Sequence, residues 1–238
     1  MNSIACSGSG FVRRPGKKWR AGQLAGLFAL GGILAGCQAA PPNPANSRRD
    51  FRPDNVFAST SKLALNFRRV AVLPLAAETA DGDLPEGCTA LTPVLLEQLI
   101  KTKKFEVVPV DTATLRRHTG RVNWTGAENL PPDFFVFLRR EYDCDGVLFA
   151  ELTTYRAYAP LAVGWRLKLV DVRTGQIVWS ADEMFDAARV GVSRAAQQFE
   201  QPRPRLPFMH EENWLALNSP RLFGRYSAAA LLETLPER

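Results

Sequence analysis

Side chains that could act as nucleophiles or metal ligands are few in this sequence, and their spacing matches no catalytic pattern. The Gly-x-Ser-x-Gly turn that exposes a nucleophilic serine is absent, as are the glycine-rich loops that bind phosphates. Only two histidines occur, His118 and His210, and neither lies at ligand spacing from the other or from a cysteine. The sequence therefore predicts a protein without a catalytic centre, a cofactor or a metal ion.

Two pairs of carboxylates are close enough in sequence to act as an acid and a base or to bind calcium. They are Asp81 with Asp83 and Asp143 with Asp145. Both pairs fall in predicted turns, where aspartate is common because its side chain hydrogen-bonds nearby backbone groups. We therefore interpret all four as turn residues.

The amino terminus has the parts of an export signal. A basic stretch with no acidic residue precedes a 16-residue run at positions 21–36 that is small or apolar at every position except Gln23. An α-helix needs roughly 20 residues to cross a bilayer, so this run is too short for a membrane anchor. The pattern predicts a removable signal peptide over residues 1–36.

The apolar run ends in Leu34-Ala35-Gly36-Cys37, which is a branched apolar residue, two small residues and a cysteine. This tetrad resembles the lipobox of bacterial lipoproteins. The resemblance implies that Cys37 carries lipid and becomes the first residue of a protein held on a membrane. Gln38, in place of an aspartate, implies sorting to the outer membrane, with the chain facing the periplasm.

Removal of the signal peptide changes the charge and the cysteine count. Five of the 30 Lys and Arg residues precede Cys37 and none of the 24 Asp and Glu residues does, so the formal net charge falls from +6 to +1. The remaining basic residues form no dense stripe, which argues against nucleic-acid binding. Two cysteines are left for an oxidising compartment, Cys88 and Cys144. We predict that they stay unpaired, at opposite edges of the sheet.

Apolar periodicity predicts one α/β domain over residues 67–238, preceded by a proline-containing tether over residues 37–66. The expected sheet is mixed, with about five strands: a βαβ unit, a further helix and strand, and an antiparallel hairpin, all flanked by helices. The predicted elements are a strand at 68–75, a helix at 92–104, a strand at 105–110, a short helix at 111–117, a helix from 133, a strand at 146–152, a hairpin across 165–181, and helices at 192–199 and from 219.

Three stretches of this pattern resemble a known family: residues 70–74 (VAVLP), 145–148 (DGVL) and 169–179 (LVDVRTGQIVW). They are similar to envelope lipoproteins built on the fold of the TolB amino-terminal domain, a group that includes the curli secretion lipoprotein and the lipoprotein activators of penicillin-binding proteins. The resemblance implies an anchored periplasmic domain that binds other envelope proteins. It implies no catalysis.

The connection from residue 153 to residue 162 is rich in residue types that dominate protein interfaces. We predict that it contributes to a partner-binding surface through four residues, Tyr155, Arg156, Tyr158 and Leu161. The alternative is a strand extension whose tyrosines cover the edge of the sheet. If the segment is a binding surface, replacing both tyrosines and the arginine with alanine should leave thermal stability unchanged.

Together these patterns predict a non-catalytic lipoprotein of the outer membrane that binds or assembles envelope proteins, with self-association into a homo-oligomer left open. Two alternatives belong to other classes: a lipoprotein enzyme that acts on the wall or on lipid, and a subunit of a curli-like secretion pore. The connection between Leu152 and Trp165 is too short for a membrane hairpin, which needs two strands of about 9 to 11 residues and a turn.

Overall fold

The computed structural model describes residues 51–79, 82–199 and 215–238, which belong to one compact unit. The predicted signal peptide, Cys37, Asp81, His210 and the Pro-rich passage at 201–207 lie outside the described residues. The strands are β1 (Val56–Ala58), β2 (Arg69–Val72), β3 (Ala76–Ala77), β4 (Glu106–Pro109), β5 (Gly146–Arg156), β6 (Ala162–Asp171) and β7 (Ile177–Asp186). The helices are α1 (Leu84–Thr102), α2 (Thr112–Thr119), α3 (Phe134–Tyr142), α4 (Val190–Phe199), α5 (Leu215–Asn218) and α6 (Pro220–Leu232).

The described strands form one mixed sheet in the order β1-β7-β6-β5-β2-β4, with β3 paired to β5. Strand β2 is parallel to β4 and β5, whereas β5, β6, β7 and β1 pair antiparallel in turn. The predicted α/β class, the βαβ unit and the hairpin are thereby confirmed. The sheet has seven strands where about five were expected, because β1 and β3 have only three and two residues, too few for a periodic signal.

Strand β2 is buried on both faces, which explains its continuous apolar sequence. Val70 and Val72 point to one side, where they join α1, α4 and α6 in the larger hydrophobic cluster. Ala71 and Leu73 point to the other side, into a smaller cluster with α2 and α3. The two clusters define the two faces of the sheet, called here the major face and the minor face.

Residues 51–66 correct the predicted tether. Val56 to Ala58 form the edge strand β1 against β7, and Leu63 is buried in the larger cluster. Lys62 forms a bridge with Glu237, which fastens this segment to the carboxyl terminus. The segment looks like a tether in the sequence because its apolar residues contact the domain singly, without helical or strand periodicity.

Helix α1 begins at Leu84, eight residues before the predicted start at Thr92. Pro85 occupies the first turn, where a missing N–H is harmless, and Pro93 lies inside the helix. The helix continues through Pro93 because Leu91, Val94 and Leu95 are all buried, so that packing outweighs the lost backbone hydrogen bond.

The earlier start of α1 places Cys88 in this helix, over a face of the sheet and not at the predicted edge. Cys88 packs against the major-face cluster, whereas Cys144 belongs to the minor-face cluster. Both thiols are free, as predicted, and the sheet separates them. Burial raises the pKa of each thiol to about 11, so neither forms a reactive thiolate at neutral pH.

Candidate functional site

The minor face of the sheet changes character between β2 and β7. Over β2 and the first half of β5, Leu73, Val147 and Phe149 pack with α2 and α3. Beyond Phe149, the described side chains on this face are mostly polar, and most of them are partly exposed. We call this surface the open face; its residues are Phe57, Glu151, Thr154, Arg156, Arg166, Lys168, Ser180, Asp182, Met184 and Asp186.

Strand register arranges the open face in rows. Trp165, Leu167 and Leu169 of β6 are buried on the major face, so Arg166 and Lys168 between them point to the minor face. Across the strands, Arg166 pairs with Glu151 of β5 and with Asp182 of β7. A second row joins Lys168 and Ser180 to Phe57 of the edge strand β1. Directly opposite side chains in adjacent strands are close enough to interact.

Arg166 is the centre of the open face and binds three carboxylates. Its Nε donates to Oδ2 of Asp182 at 2.8 Å, and its Nη1 donates to Oε1 of Glu78 at 3.2 Å and to Oε2 of Glu151 at 3.3 Å. One guanidinium facing three carboxylates leaves two formal negative charges in excess. These carboxylates raise the pKa of Arg166, which therefore stays charged at every physiological pH.

Glu151 is the buried member of this ion cluster, since its side chain is only 9% exposed. Burial raises the pKa of Glu151, and the charge of Arg166 and its hydrogen bond oppose that rise. A carboxylate in this position is stable only beside its cation, because removing one partner of a buried pair leaves an uncompensated charge. Glu151 therefore needs Arg166 beside it to be stable as a carboxylate. Glu78 and Asp182, in contrast, remain accessible to solvent.

A second ion pair lies at the end of the face where β5 turns into β6. Nη2 of Arg156 contacts Oδ1 of Asp186 at 3.0 Å, and Nε of Arg156 donates to the carbonyl of Pro160. The same oxygen of Asp186 accepts from the backbone N–H of Ala188 at 2.8 Å. Arg156 thus holds the connection between β5 and β6 in place. Its guanidinium is already engaged by these contacts, so fewer of its N–H groups are left for a partner.

The four residues predicted to bind a partner do not share one surface. Leu161 is buried in the major-face cluster, and Tyr155 is half-buried against it. Arg156 lies on the open face, and Tyr158 is 67% exposed. The segment up to residue 156 extends β5, as the alternative interpretation held. Because the ring of Tyr155 packs against α1, we now expect its replacement by alanine to lower stability.

Gly87 of α1 makes this packing of Tyr155 possible. A Cβ atom at position 87 would lie 2.5 Å from the Tyr155 ring and 2.7 Å from the side chain of Leu152.

We expect Gly87→Ala to lower the free energy of unfolding by about 1–3 kcal/mol through overpacking, measured by urea denaturation. The matched control is Gly191→Ala in α4, where only the Cβ of Phe51 comes near, at 3.8 Å. That control should be neutral or stabilising by up to about 1 kcal/mol, and equal losses in both variants would contradict the packing account.

Exposed apolar side chains flank the ion cluster. Phe57 of β1 is 53% exposed and Met184 of β7 is 47% exposed. Both belong to the minor face, since Phe57 is opposite Ser180 and Met184 is opposite Gly164. Both features can serve an interface, because exposed apolar atoms supply contact area and charges supply orientation.

The other candidate groups from the sequence have structural roles. Asp145 accepts from the backbone N–H groups of Arg68 and Arg69 and pairs with Arg173, and Asp143 ends α3 in the left-handed region, with φ 48°. Among the described residues, no group of three or more His, Cys, Asp or Glu is placed to hold a metal ion. A search of the same residues finds no helix with the length and apolar character needed to cross a membrane.

Sequence reasoning missed the ion cluster on the open face. The alternation of Trp165, Leu167 and Leu169 with Arg166 and Lys168 predicts an outward polar row on β6. It does not reveal that Glu151 and Asp182 are on either side of Arg166, because that requires the register of both neighbouring strands. Glu78, which follows β3, has no periodic signal.

No sequence profile of a protein family matches the chain, and no curated protein matches it. Several solved structures, however, are similar to the chain. The chain is similar to the PelC dodecamer from Paraburkholderia phytofirmans, with 17% identity, a TM-score of 0.42, and coverage of 77% of this chain and 96% of that one. It is also similar to the lipoprotein GNA1162 from Neisseria meningitidis, with 20% identity, a TM-score of 0.32, and coverage of 50% and 79%.

TolB from Acinetobacter baumannii is similar at 12% identity and a TM-score of 0.26, over 55% of this chain and 25% of that one. These structures include the lipoproteins and the TolB fold that the hairpin motif indicated. At such identities and TM-scores the similarity says nothing about what this chain binds.

Proposed function

We propose that this protein is a lipoprotein of the outer membrane, anchored through Cys37, that binds another envelope protein in the periplasm through its open face and has no catalytic role. The observation that carries the proposal is the open face itself. It combines two exposed apolar side chains, Phe57 and Met184, with an ion cluster that has an excess of carboxylates. The lipobox and the preceding signal support the anchoring.

The charges on the open face indicate what the partner presents. Three carboxylates share Arg166, and two of them, on Glu78 and Asp182, are partly exposed. An approaching lysine or arginine would therefore find a carboxylate oxygen without displacing Arg166 from Glu151. A partner with a basic group beside an apolar patch fits this surface, since complementary charge orients the encounter and apolar contact supplies affinity.

The proposal is tested by removing the apolar flank. A Phe57→Ala, Met184→Ala variant should keep its thermal midpoint, because both side chains are about half exposed and neither takes part in the ion cluster. It should retain about fivefold less of its partner in affinity capture after crosslinking in cells, since truncating an interface anchor often costs more than about 1 kcal/mol.

The matched control removes two other exposed apolar side chains, in Ile100→Ala, Val190→Ala. These residues lie on α1 and α4 and are 61% and 69% exposed. The control should retain the partner in full. Equal retention by both variants would contradict binding at the open face. If the only captured protein is a second copy of this chain, the open face serves self-association and does not bind a different protein. Light scattering of the purified protein measures self-association independently.

A further inference from the structure

A groove lies between α2 and α3, and the proposed partner surface does not include it. The two helices contact the sheet through Leu115, Phe134 and Leu138, which leaves their outer surfaces free. The groove has a volume of about 460 Å³, within the range of small-ligand sites. Thr114, Arg117 and His118 line it from α2, and Val136, Phe137 and Arg140 line it from α3.

One wall of the groove is rigid and aromatic. The ring of His118 stacks on Phe137, with centroids 3.8 Å apart and planes 8° from parallel. Nε2 of His118 lies 3.1 Å from Oδ2 of Asp133, the residue that precedes α3. These contacts fix the imidazole ring and engage the carboxylate of Asp133. Val136 is solvent-exposed at the same groove, so an apolar body can rest against this wall.

Two cations line the groove, and one of them, Arg117, lies near enough to Asp111 to help lower the pKa of that carboxyl. In the described structure, the side chains of Arg117 and Arg140 form no ion pair and no hydrogen bond, although Glu141 lines the same groove. The groove is lined by two arginines and two carboxylates, and the carboxylate of Asp133 is already engaged by His118.

We infer that the α2–α3 groove binds an oxyanion, a carboxylate or a phosphate, carried on an apolar or aromatic body, with Arg117 and Arg140 as the donors. A guanidinium offers paired N–H groups that match the oxygens of either anion. The His118–Phe137 wall and Val136 contact the body of the ligand.

The test is isothermal titration calorimetry of the full chain in a non-ionic detergent. N-acetylphenylalanine supplies a carboxylate, phenyl phosphate supplies a phosphate, and N-acetylphenylalaninamide is the neutral match to the first. At least one anion should bind saturably and at least tenfold more tightly than the neutral amide. Preference for one anion identifies which oxyanion the ligand carries. Absence of saturable binding by both anions would overturn the inference.

Two charge-matched variants locate the site. Arg117→Gln, Arg140→Gln removes the cations that line the groove and should weaken binding at least tenfold, since hydrogen bonds to charged groups are stronger than those between neutral groups. Arg116→Gln, Arg139→Gln makes the same charge change at neighbouring positions of the same helices, which do not line the groove. It should change the affinity less than about twofold. Equal weakening in both variants would show non-specific attraction and overturn the site.

Discussion

Replacement of Cys37 with serine is expected to leave an uncleaved precursor that takes up no labelled palmitate. The effect should be all-or-none, because the sulfur atom of Cys37 is the proposed point of attachment of the lipid. Several acyl chains anchor a protein stably, whereas one chain binds only marginally, so the unlipidated chain should be missing from the outer-membrane fraction.

The matched control for this experiment is Cys6→Ser, which changes a cysteine in the proposed signal peptide, away from the proposed lipobox. That variant should be cleaved, labelled and sorted as the parent chain is. Palmitate label on the Cys37→Ser protein would refute the predicted lipid site.

An aspartate introduced in place of Gln38 should move the protein to the inner membrane if position 38 directs the sorting.

The second large effect is expected from Arg166→Met, which removes the cation of the ion cluster while keeping much of its volume. Glu151 would then be a buried carboxylate without a partner. Breaking a fully buried pair costs about 3–5 kcal/mol, and the partial exposure of Arg166 reduces the expected loss of unfolding free energy to about 2–3 kcal/mol. For a chain of this size, this corresponds to a drop in thermal midpoint of roughly 4–12 °C.

The pH dependence of this loss has a defined sign. Burial already raises the pKa of Glu151 above the ordinary value of about 4.5, and removing Arg166 takes away the attraction that opposes the rise. The folded variant therefore holds a proton that the unfolded chain has released, so this group favours folding at low pH. That contribution is lost as the pH rises through the folded pKa. The stability deficit of Arg166→Met should be small near pH 4 and largest at neutral pH and above.

Two further variants test whether Glu151 causes the loss. Adding Glu151→Gln to Arg166→Met should recover most of the stability, since the buried charge is gone. Arg173→Met removes the exposed partner of Asp145, whose other oxygen keeps backbone donors, and should cost less than about 1 kcal/mol. A deficit that is independent of pH, or that Glu151→Gln does not recover, would contradict the structural role assigned to Arg166.

Elements with a strong period are the ones that the sequence predicts well. Strand β2 is a continuous apolar run, β6 and β7 alternate, and α6 begins at Pro220, with Ser219 as its cap, as expected. In each case one local pattern is enough, because burial on one or both faces requires it. The hairpin turn follows in the same way, with Gly175 at φ 70°.

Features that depend on contacts between distant parts of the chain cannot be predicted from local sequence patterns. β1 exists because β7 offers a free edge, and α1 starts before Pro93 because the sheet buries its apolar side. Tyr155 was assigned to a binding surface from its residue type, but Gly87 of α1 leaves the space that its ring fills. The ion cluster requires the register of three strands, which no single segment specifies.

The central claim, that the open face contacts a different envelope protein, is tested most directly by placing a photo-crosslinking residue at Ser180. Ser180 lies in the row between Lys168 and Phe57, beside the ion cluster. The control position is Ala90, which is exposed on α1. We predict that light-induced crosslinking in living cells joins position 180, and not position 90, to an envelope protein other than this chain. Absence of that product at position 180, or the same product from both positions, would contradict the claim.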